Sequence, residues 1–398
     1  MEIVIAHFST HWVGSSGGVE KTVCALSGAM TKRGHHVTVL YLGEEEGNPY
    51  FPLDPGVETR NILFENGQKI IGDKLPMLLR VYREIARTFS KTKAREINAV
   101  YKGKQYGKQI QRWFANHKAD IVLSVSPMSA KYLLIDGQCR VPTIEMTRED
   151  PESGFAVLSK EEKEAVAKAK AMQVLLPEDL KTAGRYFPNV PAYAIGNIAS
   201  VNALQAAPGA EKKRYKITNV GTVCSRKNQK LLVEAFAPLA KQYPDWDLEI
   251  YGSKESPYAK KLQKYIDLHH LNQRIYLKGV TRKVSEVYAG SDILAYPSRS
   301  EGFPNGVIEA MSAGLPVVGL WSCHGTNQLV KDGVSGFLVK DDAEEFREKL
   351  ARLMEDAQLR ENMGKEGLRE TEKYKPEKIW DQWEALLKKY ADREAQKI

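Results

Sequence analysis

Two glutamates eight residues apart, Glu301 and Glu309, lie in the run Ser300-Glu301-Gly302-Phe303-Pro304-Asn305-Gly306-Val307-Ile308-Glu309-Ala310-Met311. The first stands beside a Gly-rich turn, and the second falls within the helix that this turn opens. Asn305 suits an N-cap, and Gly314 followed by Pro316 is a stop signal. A helix that starts near Pro304, next to a loop of bare backbone N–H groups, attracts anions, phosphates above all. Glu309, about one turn in, can reach hydroxyls of a ligand whose phosphate is anchored there. Glu301 faces whatever is attached beyond the phosphate. A phosphate cradle flanked by two hydroxyl-binding carboxylates suits a nucleotide sugar. The spacing alone carries little, because a loop acid and a helix-surface acid produce the same pattern. The donor-binding reading rests on the turn residues Gly302, Phe303, Pro304 and Asn305 around it.

Three further loops have compatible chemistry. Val220-Gly221-Thr222-Val223-Cys224-Ser225-Arg226-Lys227-Asn228-Gln229 puts two adjacent cations where a strand meets a helix. A diphosphate carries about two negative charges, which must be balanced increasingly as a sugar bond breaks, and fixed cations can do this. The other reading of Arg226 and Lys227 is a surface basic pair at a helix end. His324-Gly325-Thr326-Asn327 opens another helix, and its N–H groups are expected to point at the same diphosphate. Gly17-Gly18-Val19-Glu20 is the equivalent loop in the first forty residues, where glycine lets a ligand approach the backbone closely.

The elements that must hold these loops alternate. Ile3–Ala6 is a short apolar strand, Val19–Lys32 a helix with Val23, Leu26, Ala29 and Met30 on one face, and Val37–Leu42 the next strand. This is a βαβ unit, which implies a parallel sheet and a right-handed crossover. Strands follow at Ile121–Ser124, Pro142–Glu145 and Met172–Leu176. A composition break rich in Ala, Pro, Gly and Lys spans Ser200–Lys213. A second alternating series then runs through strands Ile217–Gly221, Asp247–Tyr251, Ile275–Leu277, Ile293–Tyr296 and Pro316–Leu320, with a helix over Gln229–Leu239. The pattern predicts an α/β chain of two doubly wound domains, with each named glycine loop at the carboxyl end of a strand, where such sheets bind ligands. The first domain is expected over residues 1–199, the second over 200–373. Pro376–Tyr390 reads as a helix with Trp380, Trp383, Leu386 and Leu387 at core spacing.

These residues resemble retaining glycosyltransferases of family 4, which have the GT-B fold of two facing Rossmann-like domains. The likeness is carried by the Glu-x7-Glu segment with EGFPN and EAMSAGLPVV around it, and by the GGVE loop at Gly17–Glu20. It covers essentially the whole chain, strongly from Asn219 to Val339 and weakly from Phe51 to Asp120. It implies that Glu301 touches the donor sugar and Glu309 the ribose hydroxyls. It implies that residues 374–398 pack back on the first domain. Lys227 matches the family's loop lysine directly. Many members carry an arginine immediately after the loop glycine, Gly221 here, where this chain has Thr222, and Arg226 is the candidate replacement. Glu145-Met146-Thr147-Arg148-Glu149-Asp150-Pro151 resembles an Arg-Asn-Asp-Pro-like element of some bacterial members. Many others place a His near this point, and this chain has none there. Arg148 and Asp150 are candidate acceptor-side contacts; a strand-end turn held by an Arg–Asp pair is the alternative.

The activity so implied is transfer of a hexose-type sugar, with retention, from a nucleoside diphosphate donor, UDP-sugar foremost. The acceptor is a hydroxyl of a lipid-linked or growing surface polysaccharide. Neither a metal nor a further cofactor is expected. A GT-B sugar-nucleotide epimerase and a non-catalytic sugar-nucleotide-binding protein are the competing readings.

Composition bounds the partners. The 398 residues are 42% hydrophobic, enough for two ordinary domains. No apolar run approaches the roughly 20 residues of a membrane span. The N-terminus lacks a basic lead and reads as a buried strand rather than a signal peptide. Cys24, Cys139, Cys224 and Cys323 are scattered without metal or disulfide spacing, which fits a reducing cytoplasm. The net charge of +8 is uneven: between Lys69 and Lys118 thirteen Lys or Arg face three acids, a local +10 that leaves −2 for the rest. Such a segment suggests an anionic partner. Leu75, Met77, Leu78, Leu79, Val81, Tyr82, Ile85 and Phe89 lie within it. Two readings stand: a basic amphipathic stretch on the inner face of the plasma membrane, or a solvated helix whose apolar face is core. No nucleic-acid-binding module is recognised.

Overall fold

The computed structural model describes residues 1–8, 12–15, 17–71, 75–199 and 204–391, and their side chains apart from those of 91–96. Part of the Ser200–Lys213 composition break, and Asp73 and Lys74 of the basic segment, lie outside the described residues. The chain forms two compact units, Met1–Ile195 with Trp380 onward, and Gly196–Ile379.

The first unit is built on short apolar runs that are buried on both faces, as parallel strands covered by helices must be. Its strands are β1 (Glu2–His7), β2 (His36–Tyr41), β3 (Val57–Asn61), β6 (Ile121–Ser124), β7 (Thr143–Met146), β8 (Ala171–Val174) and β9 (Ala192–Ala194). All pair in parallel, in the order β3-β2-β1-β6-β7-β8-β9. The order reverses between β1 and β6, so the crevice of this unit opens beyond His7 and Ser124. Helix Gly18–Lys32 buries Val23, Leu26 and Met30 against the sheet and stops at Gly34, whose φ is +84°. A small antiparallel hairpin, β4 (Phe64–Glu65) and β5 (Gln68–Lys69), turns through Asn66 and Gly67, both at positive φ.

In the same unit, helix Met77–Phe89 lies against helix Lys91–Asn116 and turns only Leu79, Arg83 and Ala86 part-way inward. Its remaining apolar side chains are outside: Met77 is 80% exposed, Leu78 and Phe89 85% each. Of the two readings of this stretch, the one with its apolar face in the core is therefore wrong for Met77–Phe89. Leu75, just before the helix, is buried.

The C-terminal helix Pro376–Ala391 returns to the first unit from Trp380. Trp383, Leu386 and Leu387 are buried. Arg33 reaches Asp381 and Glu384, each at 2.7 Å, and the Tyr193 and Tyr390 hydroxyls lie 3.0 Å apart. Both divides differ slightly from residues 200 and 374. β9 carries the first sheet to Ala194, and Tyr374 stays in the second unit, edge-on to Phe303 at 5.3 Å.

The second unit repeats the plan with β10 (Tyr215–Val220), β11 (Trp246–Tyr251), β12 (Ile275–Gly279), β13 (Ile293–Tyr296), β14 (Val317–Leu320) and β15 (Gly336–Val339). All are parallel, in the order β12-β11-β10-β13-β14-β15. Its reversal lies between β10 and β13, beyond Val220 and Tyr296. One continuous core, from Ile217 and Trp246 through Phe236 to Phe346 and Leu353, packs its helices on the sheet.

Candidate functional site

The reversal of the second sheet brings together the two loops with the most chemistry. Gly221 follows β10, and the turn Ser225–Lys227 comes after it. Asn228 in the left-handed region, at φ +54°, then starts helix Gln229–Gln242. The loop after β13 carries Ser298 to Pro304. The Arg299 N–H donates to the Arg226 carbonyl at 3.0 Å, so the two loops are tied backbone to backbone. Arg299 and Asn228 both hold Asp341, at 2.6 and 2.9 Å.

Within this frame the Lys227 ammonium is 2.6 Å from Glu301 Oε1 and donates to the Tyr296 hydroxyl at 2.7 Å. Arg226 reaches the same carboxylate oxygen at 3.0 Å and also donates to the Ser300 carbonyl. The Ser298 hydroxyl donates to Glu301 as well. Burial alone would raise the Glu301 carboxyl, but the charge and hydrogen bond of Lys227, with Ser298 and Arg226, hold it below the ordinary carboxylate range. Burial and the Glu301 charge push the Tyr296 phenol well up, so its oxygen stays neutral and accepts from Lys227. A Cβ at Gly221 would touch this lysine, 3.7 Å from Lys227 Cε and 3.8 Å from its Nζ.

Helix Asn305–Ser312 starts beside this cluster. Its N-cap position is Pro304, not Asn305, and no side chain caps it. Asn305 is already the first helical residue, and its Oδ1 accepts from Asn197 at 2.9 Å. Phe303 is buried. Gly306 packs over the end of β10, where a Cβ would come within 3.3 Å of the Val220 carbonyl oxygen. Glu309 sits one turn in and is 9% exposed. The buried Tyr288 hydroxyl, pushed well up by burial and by the Glu309 charge, belongs to the same neighbourhood.

The Gly325 N–H, expected from the sequence to point at the diphosphate, is instead turned to the neighbouring loop. It donates to the Glu301 carbonyl at 2.9 Å, and a Cβ at Gly325 would meet that oxygen and Pro304 Cδ at 2.7 Å. Thr326 is fully buried, its hydroxyl on Cys323 Sγ at 3.2 Å, while His324 is half-buried. Glycine is required at 325 so that this turn can brace the Glu301–Gly302 loop.

Gly17 precedes helix Gly18–Lys32 in an extended conformation, and a Cβ there would collide with the Glu20 carboxylate. That carboxylate is buried 3.2 Å from His7 Nε2 at the end of β1. His7 and Glu20 thus form a buried pair at the carboxyl end of this sheet, which sequence reasoning missed. The signal was a histidine ending an apolar strand, with an acid in the first turn of the next helix. Asp150 accepts from the Glu152 N–H and the Ser153 hydroxyl, both at 3.1 Å, and so caps helix Pro151–Ala156. Arg148 Nε and Nη2 are buried without a hydrogen-bond partner, so they do not pair with Asp150. Burial lowers the Arg148 guanidinium to about 10, with Glu145 opposing, and the carboxyl of fully buried Glu145 is pushed well up by burial.

Comparison with known proteins adds the following. Residues 201–370 match the family model described as glycosyl transferases group 1. An uncharacterized glycosyltransferase of Haemophilus influenzae is 35% identical over 194 residues, 48% of this chain and 54% of that one. The chain thus spans about half the length of that relative. The amylovoran biosynthesis glycosyltransferase AmsD of Erwinia amylovora is 25% identical over 382 residues, 94% of this chain and 97% of that one. Among solved structures, Anabaena HepE in complex with UDP and glucose superposes with a TM-score of 0.68 at 17% identity, covering 98% of this chain and 99% of that chain. The fold is GT-B.

Proposed function

We propose that this chain, whose residues 201–370 form a glycosyl transferases group 1 domain, is a polysaccharide-type glycosyltransferase. It moves a hexose from a UDP-sugar to a hydroxyl of a lipid-linked or polysaccharide acceptor, with retention and without a metal. The observation that carries the reading is the convergence of Lys227 and Arg226 on Glu301 at the reversal of the second sheet, 2.6 and 3.0 Å from one carboxylate oxygen. Two fixed cations beside a helix start form a diphosphate site. A diphosphate takes Lys227 and Arg226 from Glu301, and the released carboxylate turns to the sugar hydroxyls. Glu309 holds the ribose. As the sugar–phosphate bond breaks, negative charge grows on the leaving diphosphate beside Lys227, whose attraction therefore rises toward the transition state. Front-side attack by the acceptor hydroxyl on the same face needs no enzymatic nucleophile. In the first unit, Arg148 is the acceptor-side candidate that remains available, since Asp150 is occupied as a cap. The basic segment Lys69–Lys118 brings the enzyme to the cytoplasmic membrane face. The names of the relatives and of the UDP-bound structural neighbour support this reading.

Thermal-shift measurement against UDP-, GDP- and ADP-sugars tests it. A ligand that binds only the folded state stabilises by mass action, about 2.7 kcal/mol at a hundredfold excess over its dissociation constant. UDP and one UDP-hexose are expected to raise the midpoint, with EDTA making no difference. A shift only with another base corrects the donor, and no shift with any nucleotide rejects the reading.

A further inference from the structure

We infer that helix Met77–Phe89 is an interfacial anchor that lies in the surface of an anionic lipid bilayer with its apolar stripe inserted. The inference deepens the reading of a lipid-linked acceptor and rests on it for the choice of partner. A surface helix of a globular domain ordinarily turns its apolar stripe to the core and its charges to water. This helix does the reverse. Leu78, Tyr82, Ile85 and Phe89 recur at three- and four-residue intervals with Val81 three residues after Leu78, which places all five on one face, and all are exposed. With Met77 they make six of the sixteen exposed large apolar side chains among the described residues, gathered in thirteen residues. A contiguous apolar patch of this kind marks an interaction site.

The charges identify the occupant. Arg80, Arg83 and Arg87 stand on the flank away from the stripe, against a single acid, Glu84. They are held in place: Arg80 donates to the Leu75 carbonyl at 3.2 Å, Arg83 to Glu84 at 3.0 Å, and Arg87 pairs with Glu84 at 3.0 Å. Lys102, Lys104 and Lys108 are exposed along the following helix. A second copy of the chain packed stripe to stripe would bring another segment of the same sign and neutralise none of these cations. An anionic leaflet neutralises them while its acyl boundary takes the stripe. Thirteen residues make a helix of about 20 Å, and no described helix is long and apolar enough to cross a membrane, so the helix lies in the surface rather than spanning it. Because the stripe is wholly apolar and the arginines are partly engaged, insertion contributes more than charge.

Sedimentation with vesicles of phosphatidylcholine, with and without phosphatidylglycerol, tests this on the full chain. Wild type is expected to bind the anionic vesicles more tightly than the neutral ones and to keep a measurable part of that binding when salt rises from about 0.1 M to about 0.5 M. Leu78→Gln, Tyr82→Gln and Phe89→Gln together are expected to lower the partition coefficient roughly a hundredfold or more. They replace exposed side chains, and an unchanged melting midpoint and UDP-induced thermal shift will show that the variant is folded. Absence of wild-type binding overturns the inference, as does equal binding by the variant or complete loss at high salt without dependence on the stripe. A concentration-dependent dimer that the variant abolishes, without vesicle binding, assigns the stripe to a second copy instead. A vesicle-bound wild type that shows no nucleotide-induced shift rejects the glycosyltransferase reading and leaves the anchor standing.

Discussion

Lys227, Arg226 and Glu301 form a closed electrostatic unit in the second domain, and this sets how each responds to substitution. Glu301 occupies the cations that the proposed diphosphate site uses, so on that reading the two anions compete. Glu301→Gln is expected to tighten UDP binding roughly three- to tenfold, since a charge-assisted hydrogen bond no longer has to be broken, while sugar transfer falls. Titration calorimetry with UDP beside a turnover assay checks both, and weaker UDP binding by the folded variant contradicts the competition. Glu309→Ala acts oppositely. On the proposed reading it removes hydrogen bonds to the ribose, each contributing about 1.5–3 kcal/mol when charged, and is expected to weaken UDP at least about tenfold. Unchanged affinity removes Glu309 from the site. The Glu301 carboxyl is depressed, so its pairing contributes stability above the ordinary carboxylate range and is lost as pH falls through its lowered value.

At the scale of elements, the C-terminal helix closes the first unit, and its anchor is titratable. Lys388, Arg33 and His35 surround Glu384 and hold its carboxyl at about 2 against an ordinary 4.5. That stability is present above about 4.5 and drains away as pH falls toward 2. Glu384→Gln is therefore expected to lower the melting midpoint at neutral pH, by roughly 1 kcal/mol at most for a partly exposed network. The difference should shrink steadily below pH 4.5, and a deficit that stays constant down to pH 2 contradicts the assignment. Most central elements were legible in the sequence. Ile121–Ser124 and Ile293–Tyr296 match to the residue because continuous apolar runs between turn signals have few other folds. The two edge strands of the first sheet were not: Val57–Asn61 reads Val-Glu-Thr-Arg-Asn, and Ala192–Ala194 is only three residues, so neither shows an apolar run. The Asn66-Gly67 hairpin was missed although that dipeptide is a strong turn signal. At the site, the glutamates and cations were visible by type and spacing. That they bond each other was not, because a direct ion pair depends on how two loops lie across a sheet reversal.

At the scale of the molecule, two sheets of the same plan serve different chemistry. In the second, the reversal gathers paired cations and carboxylates at the helix start. In the first, the reversal buries His7 with Glu20, and an outward-facing apolar helix stands on a basic segment. The concentration of charge in residues 69–118, with the rest of the chain near neutral, fits one surface devoted to a lipid boundary.

The central claim is that Lys227 stabilises a departing diphosphate. The direct measurement is UDP release from the UDP-hexose that gives the thermal shift, in EDTA, by wild type and by Lys227→Ala, with UDP-hexose binding measured alongside. Release by wild type is expected to fall about a hundredfold or more in the variant, as for loss of one transition-state donor, with binding weakened far less. Equal release by the two proteins, or loss of binding as large as the loss of release, contradicts it.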